Sequence, residues 1–387
     1  MDVSPNKAAP ASLPAGWSSA PPELLDLVLR RLFSAADRVR FAAVCRHWHD
    51  VASHYSSAPR VLPPALPWLN FPHDGHFQSL PDGEQHMHSF SGHSKDVRCV
   101  GTFGRWLLFE ELGVEPGRRY FLRDPLVPSS HTPLPGHCKE PVDLTDNGRS
   151  PGWPWPRWPF HSAAAGSGST RFYIAKVIVC SGDLIVAMVC YKRDPRYYRG
   201  DVNVVVCCRP GMSSWSAGLW NGRWYRDMVL YKGKLYAVDE KGELFAHEIT
   251  EDRDTGEPRV SRVWSVVRTP PPPLSKYMPD GSYCAHNSLL MVRWIVPKDD
   301  YTAEDSTKQM EIMVFEADFE TGRWVEVKSL DDQVLFVSSD SSKSRAIYPS
   351  GHRHHCDYLR GNGIYFVDDV GGMHLSDQVN ASWFFPR

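Results

Sequence analysis

Between Pro21 and Tyr55 the chain reads PPELLDLVLRRLFSAADRVRFAAVCRHWHDVASHY: three short helical patterns within about thirty-five residues. That stretch carries more apolar surface than so small a unit can hide within itself. Units below about forty residues need a disulfide, a metal or a partner to be stable. Cys45 is the only cysteine here and no metal-ligand spacing is present, which leaves the partner. The feature therefore constrains the chain toward a helical docking module joined to a longer, different region.

The local signals agree. Pro21 and Pro22 sit where a first helical turn tolerates missing N–H donors, and Glu23 and Asp26 bring negative charge to the positive end of the helix dipole. Leu24, Leu25, Val28, Leu29 and Leu32 recur at spacings of three and four, a wide apolar stripe. Arg30 and Arg31 fall in the last turn, where cations are favoured. Ser34 followed by Asp37 fits a capping pattern for a second helix bearing Val39, Phe41, Ala42 and Val44. Cys45 and Arg46 lead to Trp48, Val51 and Ala52 on a third segment. The competing reading is a helical cap packed on the following domain.

These residues resemble the F-box. The match runs through Pro22-Glu23-Leu24-Leu25, Val28-Leu29-Arg30-Arg31-Leu32, Asp37, Arg40 and Val44-Cys45-Arg46-His47-Trp48, with Pro21 in place of the usual leucine. The resemblance implies binding to a Skp-family adaptor, and through it to a cullin scaffold and a RING subunit that recruits a ubiquitin-charged enzyme. The residues expected to carry adaptor binding, or to hold the helices that do, are Pro22, Leu24, Leu25, Val28, Leu29, Leu32, Val44, Cys45 and Trp48.

Composition excludes several classes. A net charge of −2 over 387 residues, with no basic stripe interleaved with aromatics, disfavours nucleic acid as a partner. No apolar run approaches the length that crosses a bilayer, so no membrane is expected, and the first residues form an Ala-, Pro- and Ser-rich leader without a signal-peptide core. Nine cysteines without paired spacing, several inside runs such as VIVC and VVVCC, read as buried free thiols in a reducing compartment, cytoplasmic and/or nuclear.

After about Ala58 helical stripes give way to short β-type runs between Gly, Asp, Asn and Pro turns. A turn-then-strand unit recurs as GRWLLFEE from Gly104, SGDLIVAMVC from Ser181, KGKLYAVDE from Lys232, HNSLLMVRWIV from His286, DQVLFVSS from Asp332 and GNGIYFVDD from Gly361. Most steps lie near fifty residues, which suits propeller blades of several strands each. Hairpins are expected around Glu240-Lys241-Gly242-Glu243 and around Glu320-Thr321-Gly322, the latter with Trp324 as a packing residue. A β-sandwich is the rival architecture.

This region resembles a plant domain of uncharacterised function that follows F-boxes and looks similar to Kelch-type propellers. Pro67-Trp68-Leu69, Phe77-Gln78-Ser79-Leu80, Arg98-Cys99-Val100-Gly101, Phe315-Glu316-Ala317-Asp318, Trp324-Val325-Glu326-Val327, Gly361 to Phe366 and the closing Trp383-Phe384-Phe385-Pro386 carry the likeness.

Other constellations read as structure. His352-Arg353-His354-His355-Cys356 lacks companion ligands, and His86, His88 and His93 share its status, so no metal or cofactor is expected. Pro270 to Pro273 reads as a stiff spacer, and Ala165 to Ser169 as a linker without phosphate-loop spacing. Trp153, Trp155 and Trp158, in PGWPWPRWPF, are the first candidates for contact with a target.

The reading is an α+β multidomain chain: residues 1–17 a disordered leader, 18–57 a three-helix F-box, 58–66 a linker, and 67–387 a mostly-β domain, a propeller of five to seven blades. The resemblance implies a non-catalytic substrate-recognition subunit of a Skp-cullin-F-box ubiquitin ligase, with an unknown target protein on the propeller. The alternatives are a propeller enzyme acting on a small molecule and a propeller binding module unconnected to ubiquitin transfer.

Overall fold

The structure is a computed structural model. It describes residues 16–32, 34–57, 65–71, 75–80, 83–87, 97–111, 119–127, 129–138, 142–143, 172–191, 202–217, 219–220, 223, 225–268, 282–285, 288–295, 311–338, 343–346, 362–367 and 382–384. The chain divides into two compact units, one of residues 1–67 with 79–84 and 385–387, the other of 68–78 with 85–384.

The first unit is helical. Helix α1 spans Pro22–Arg31, α2 Ala35–Ala43 and α3 Arg46–Ser57, after a short 3-10 turn at Trp17–Ser19. Pro22 opens α1, Glu23 lies in its first turn and Arg30 and Arg31 in its last, and Arg30 pairs with Asp26 one turn back at 3.1 Å. Ser34 caps α2, its hydroxyl accepting from the Asp37 N–H at 3.4 Å. Leu25, Leu29, Phe41 and Ala20 form the core, with Val28, Leu32, Trp48, Val51 and Ala52 packed around them. The Phe41 and Trp48 rings lie 4.6 Å apart, locking α2 to α3.

The described residues of the second unit are mostly strand, and these strands form six sheets of three or four strands plus a two-stranded ribbon. Sheet one joins Ser382–Phe384 to Trp68–Phe71, His76–Ser79 and Gln85–Met87. Sheet two runs Val97–Phe103, Trp106–Glu111, Arg119–Arg123, Thr132–Leu134; sheet three Phe172–Val179, Ile185–Tyr191, Val202–Cys208, Ser216–Ala217. Sheet four runs Tyr225–Tyr231, Lys234–Asp239, Leu244–Glu251, Pro258–Val267; sheet five Ser282–Ala285, Leu290–Ile295, Glu311–Asp318, Arg323–Glu326. Sheet six holds Gln333–Ser338 between Lys343–Ala346 and Gly363–Val367.

Strands Ser382–Phe384, Val97–Phe103, Phe172–Val179, Tyr225–Tyr231, Ser282–Ala285 and Gln333–Ser338 neighbour one another in that order, and the last returns to the first. That is a ring of sheets, closed where Ser382–Phe384 pairs antiparallel with Trp68–Phe71. A two-layer sandwich does not produce it.

The core follows from the ring. Ile185, Ala187 and Val189 pack toward sheet two with Val204, Val206 and Cys208; Val186, Met188, Val205 and Cys207 pack toward sheet four. Sheets four and five meet over Val238, Leu244, Met291, Phe315 and Trp324, and five and six over Val292, Leu335 and Val337. Because both faces are covered, the strands read as unbroken apolar runs instead of alternating ones. Cys207 is enclosed so fully that burial pushes its thiol up to about 12; it acts as a small hydrophobe. Cys45, Cys99, Cys138, Cys180, Cys190, Cys207 and Cys208 are free thiols.

Polar ties set the spacing between sheets. The Trp215 indole donates to the Pro135 carbonyl at 2.8 Å, from sheet three to the segment leaving sheet two. Trp324 repeats the device, donating to the Gly242 carbonyl of sheet four at 2.7 Å. Lys176 and Asp227 form a buried ion pair between the first strands of sheets three and four. Within sheets, Asp239, Asp252 and Asp318 each accept two backbone N–H groups of the turn they begin. At the expected hairpins, Lys234–Asp239 pairs with Leu244–Glu251, and Glu311–Asp318 with Arg323–Glu326, where Gly322 takes a φ of 66°.

Candidate functional site

Helix α1 has two apolar sides, centred about 150° apart on the helical wheel. Leu25 and Leu29 point inward and are fully buried, with 0% and 1% of their surface exposed. Leu24 and Leu27 share the other face and stand 43% and 52% exposed. Val28 and Leu32 are half-buried at the border between the two sides, and Pro22 is exposed at the start.

At the junction of α2 and α3 the pattern repeats. Val44 is 57% exposed, Cys45 and Trp48 are half-buried, and Val39 and Trp17 are exposed. Trp48 is fixed by its ring contact to Phe41 and by donating its indole N–H to the Trp17 carbonyl at 3.0 Å. His47 Nε2 hydrogen-bonds the Ala20 carbonyl at 2.8 Å. Segment 16–20 is thus stitched to α3, a role for Trp17 and Ala20 that the helical periodicity does not signal because neither sits on an α-helix. The Arg38 guanidinium donates to the Leu32 carbonyl at 2.8 Å and closes the α1–α2 turn.

Of the nine residues expected to serve the adaptor, the structure thus buries Leu25 and Leu29, leaves Pro22, Leu24 and Val44 open, and half-covers Val28, Leu32, Cys45 and Trp48. Leu27 and Val39 join the open set without having been singled out by the stripe. Such a face can do no chemistry; it can bury apolar area against another protein.

Trp153, Trp155 and Trp158 lie outside the described residues, as do His88, His93, Pro270 to Pro273, Ala165 to Ser169, the His352 to Cys356 run and the leader before residue 16. His86 is described, stacked on Trp68 with ring centroids 4.9 Å apart. Among the described residues no group of three or more His, Cys, Asp or Glu side chains is placed to hold a metal ion. No described helix is long and apolar enough to cross a membrane.

A three-helix unit with an open apolar face, followed by a closed ring of sheets, defines an F-box protein with a propeller. The F-box-like family pattern matches residues 17–57. The pattern described as KIB1-4 beta-propeller matches residues 77–383, most of the chain, and the chain belongs to that family as a plant F-box protein. The matching pattern is the KIB1-4 one; the Kelch-type likeness stays an expectation.

Curated relatives match over most of the length. The F-box protein At2g26160 of Arabidopsis thaliana is 23% identical over 373 residues, covering 92% of this chain and 96% of that one. F-box protein SKIP23 of the same plant is 22% identical over 401 residues, covering 93% and 88%.

Proposed function

We propose that this protein is the substrate-recognition subunit of a Skp-cullin-F-box ubiquitin ligase. The F-box family supports a substrate-adaptor role and Skp-family binding in general. The finer reading, with the cullin and RING subunits reached through the adaptor and a target protein held by the propeller, is ours. The observation that carries it is the open face of Leu24, Leu27 and Val44 beside a small core cluster of Ala20, Leu25, Leu29 and Phe41.

A partner helix laid along α1 and the α2–α3 junction would complete that core. The propeller would then hold the target near the charged enzyme, raising the effective concentration of its lysines, and the chain itself would perform no bond-making step. Pro22, Val28, Leu32, Cys45 and Trp48 border the contact, while Leu25 and Leu29 support it from beneath. Trp153, Trp155 and Trp158 remain candidates for target contact. The expected compartment is cytoplasmic and/or nuclear.

Affinity purification with and without residues 1–57 tests the reading. Adaptor and cullin should copurify with the full chain and vanish from the truncated one, while the target remains on both. A cullin that persists after truncation, or none with the full chain, would sink it.

A further inference from the structure

Two turns of the ring share one design and differ at one position. Asp252 to Gly256 joins the third and fourth strands of sheet four, and Asp318 to Gly322 joins those of sheet five. In each, the aspartate Oδ1 accepts from the N–H groups two and three residues on, and the aspartate carbonyl accepts from the glycine, at 2.8 and 2.9 Å. The glycines take φ values of 67° and 66°. The second residue of the turn makes none of these bonds. In sheet four it is the exposed Arg253, a residue suited to water. In sheet five it is Phe319, with 42% of its surface exposed. The turn itself therefore does not call for an aromatic ring at this place.

That ring is held in position without being covered. Phe319 lies nearly parallel to Tyr231, with centroids 6.2 Å apart, and 5.5 Å from Tyr236. Tyr236 is only 8% exposed and belongs to the core between sheets four and five. Two tyrosines thus fix the side chain while the turn's hydrogen bonds fix its backbone. An aromatic group so preorganised gives up little conformational entropy on binding.

The neighbouring hairpin supplies charge. Lys232 and Gly233 turn the first strand of sheet four into the second, with φ values of 47° and 75°. That left-handed pair suits Asn-Gly, and a long side chain there is strained. The Lys232 Nζ lies 5.1 Å from the centre of the Tyr231 ring. Lys234 stands opposite Tyr231 in the ladder, hence on the same face of sheet four as Tyr231 and Tyr236. Both lysines are exposed, and neither has a carboxylate partner among the described residues. Ring contacts and strand register therefore join Phe319, Tyr231, Tyr236, Lys232 and Lys234 into one patch across sheets four and five.

We propose that Phe319 anchors a docking surface for a target polypeptide, stacking an aromatic side chain whose flanking carboxylates meet Lys232 and Lys234. The proposal rests on the reading that the propeller receives a protein target, and adds the place and the kind of segment. Rings beside lysines also suit single-stranded nucleic acid. A peptide, however, can set its carboxylates on the lysine side alone, whereas a phosphate backbone carries charge at every step past Asp318 and Glu320.

The test uses the full chain and the fluorescein-labelled peptide GEEWEEG, with GEEAEEG and GQQWQQG as controls. GEEWEEG should bind, weaken as salt is raised, and lose roughly tenfold in affinity with Phe319→Ser. That variant should keep the wild-type circular dichroism spectrum, because the ring is already open to water. Phe319→Trp keeps a ring at the tip and should retain binding. Lys232→Glu and Lys234→Glu should each weaken GEEWEEG and reduce its dependence on salt. Arg253→Glu, at the sister turn, should change nothing.

Absence of measurable GEEWEEG binding, equal binding of either control peptide, or indifference to Phe319→Ser would overturn the proposal. So would tighter binding of an oligothymidylate. Adaptor pull-down on the same variants should be unaffected. A failure here with adaptor binding intact is therefore distinct from a failure of the ligase reading.

Discussion

His247 lies in the middle of sheet four with both ring nitrogens buried, edge-on to Tyr225 at 5.1 Å. Burial lowers its pKa from 6.5 to about 4. Between those values the unfolded chain binds the proton and the folded chain does not, so stability falls as pH drops through that window and is unaffected above it. The span corresponds to about 3 kcal/mol. Urea unfolding of the wild type should show that loss on acidification, and His247→Leu should lack it; equal pH dependence would refute the assignment. The same residue scale separates Leu25 from Leu24. Leu25→Ala should cost roughly 2–5 kcal/mol in unfolding free energy, whereas Leu24→Ala should cost far less. The sequence shows a stripe of leucines but not which member is covered, because that depends on where α3 lies.

At the scale of elements, what could be read in advance was local. The proline start of α1, Ser34 before α2, and the Asp-to-Gly turns all declare themselves within five residues, and Ser34→Ala should lower stability by about 1 kcal/mol in chemical denaturation. The apolar runs IVAMVC and VVVCC announced buried strands, yet their division between two neighbouring sheets depends on the ring. Trp324 illustrates the limit: its packing role was legible, but its bond to the Gly242 carbonyl spans 82 residues of chain. Trp324→Phe keeps most of the ring and strands that carbonyl, so a loss of about 1–3 kcal/mol is expected. The bulges at Val100, Ala175 and Arg226 were likewise invisible, since a bulge is defined only against its partner strand.

Across the whole molecule, one closure and one open face organise the account. The propeller closes on itself when Ser382–Phe384 pairs with Trp68–Phe71. Removing residues 382–387 should therefore lower the thermal midpoint and broaden the transition in calorimetry, where an unchanged sharp transition would argue against a ring closed there. The helical unit, by contrast, is not closed: Leu24, Leu27 and Val44 remain open to solvent. Calorimetric titration of the full chain with a Skp-family adaptor tests that claim most directly, comparing wild type with the combined Leu24→Asp, Leu27→Asp and Val44→Asp variant. Because these three residues lie outside the core, the variant should keep the wild-type circular dichroism spectrum while adaptor heat disappears. A well-folded variant that still binds the adaptor as tightly as wild type would contradict the account.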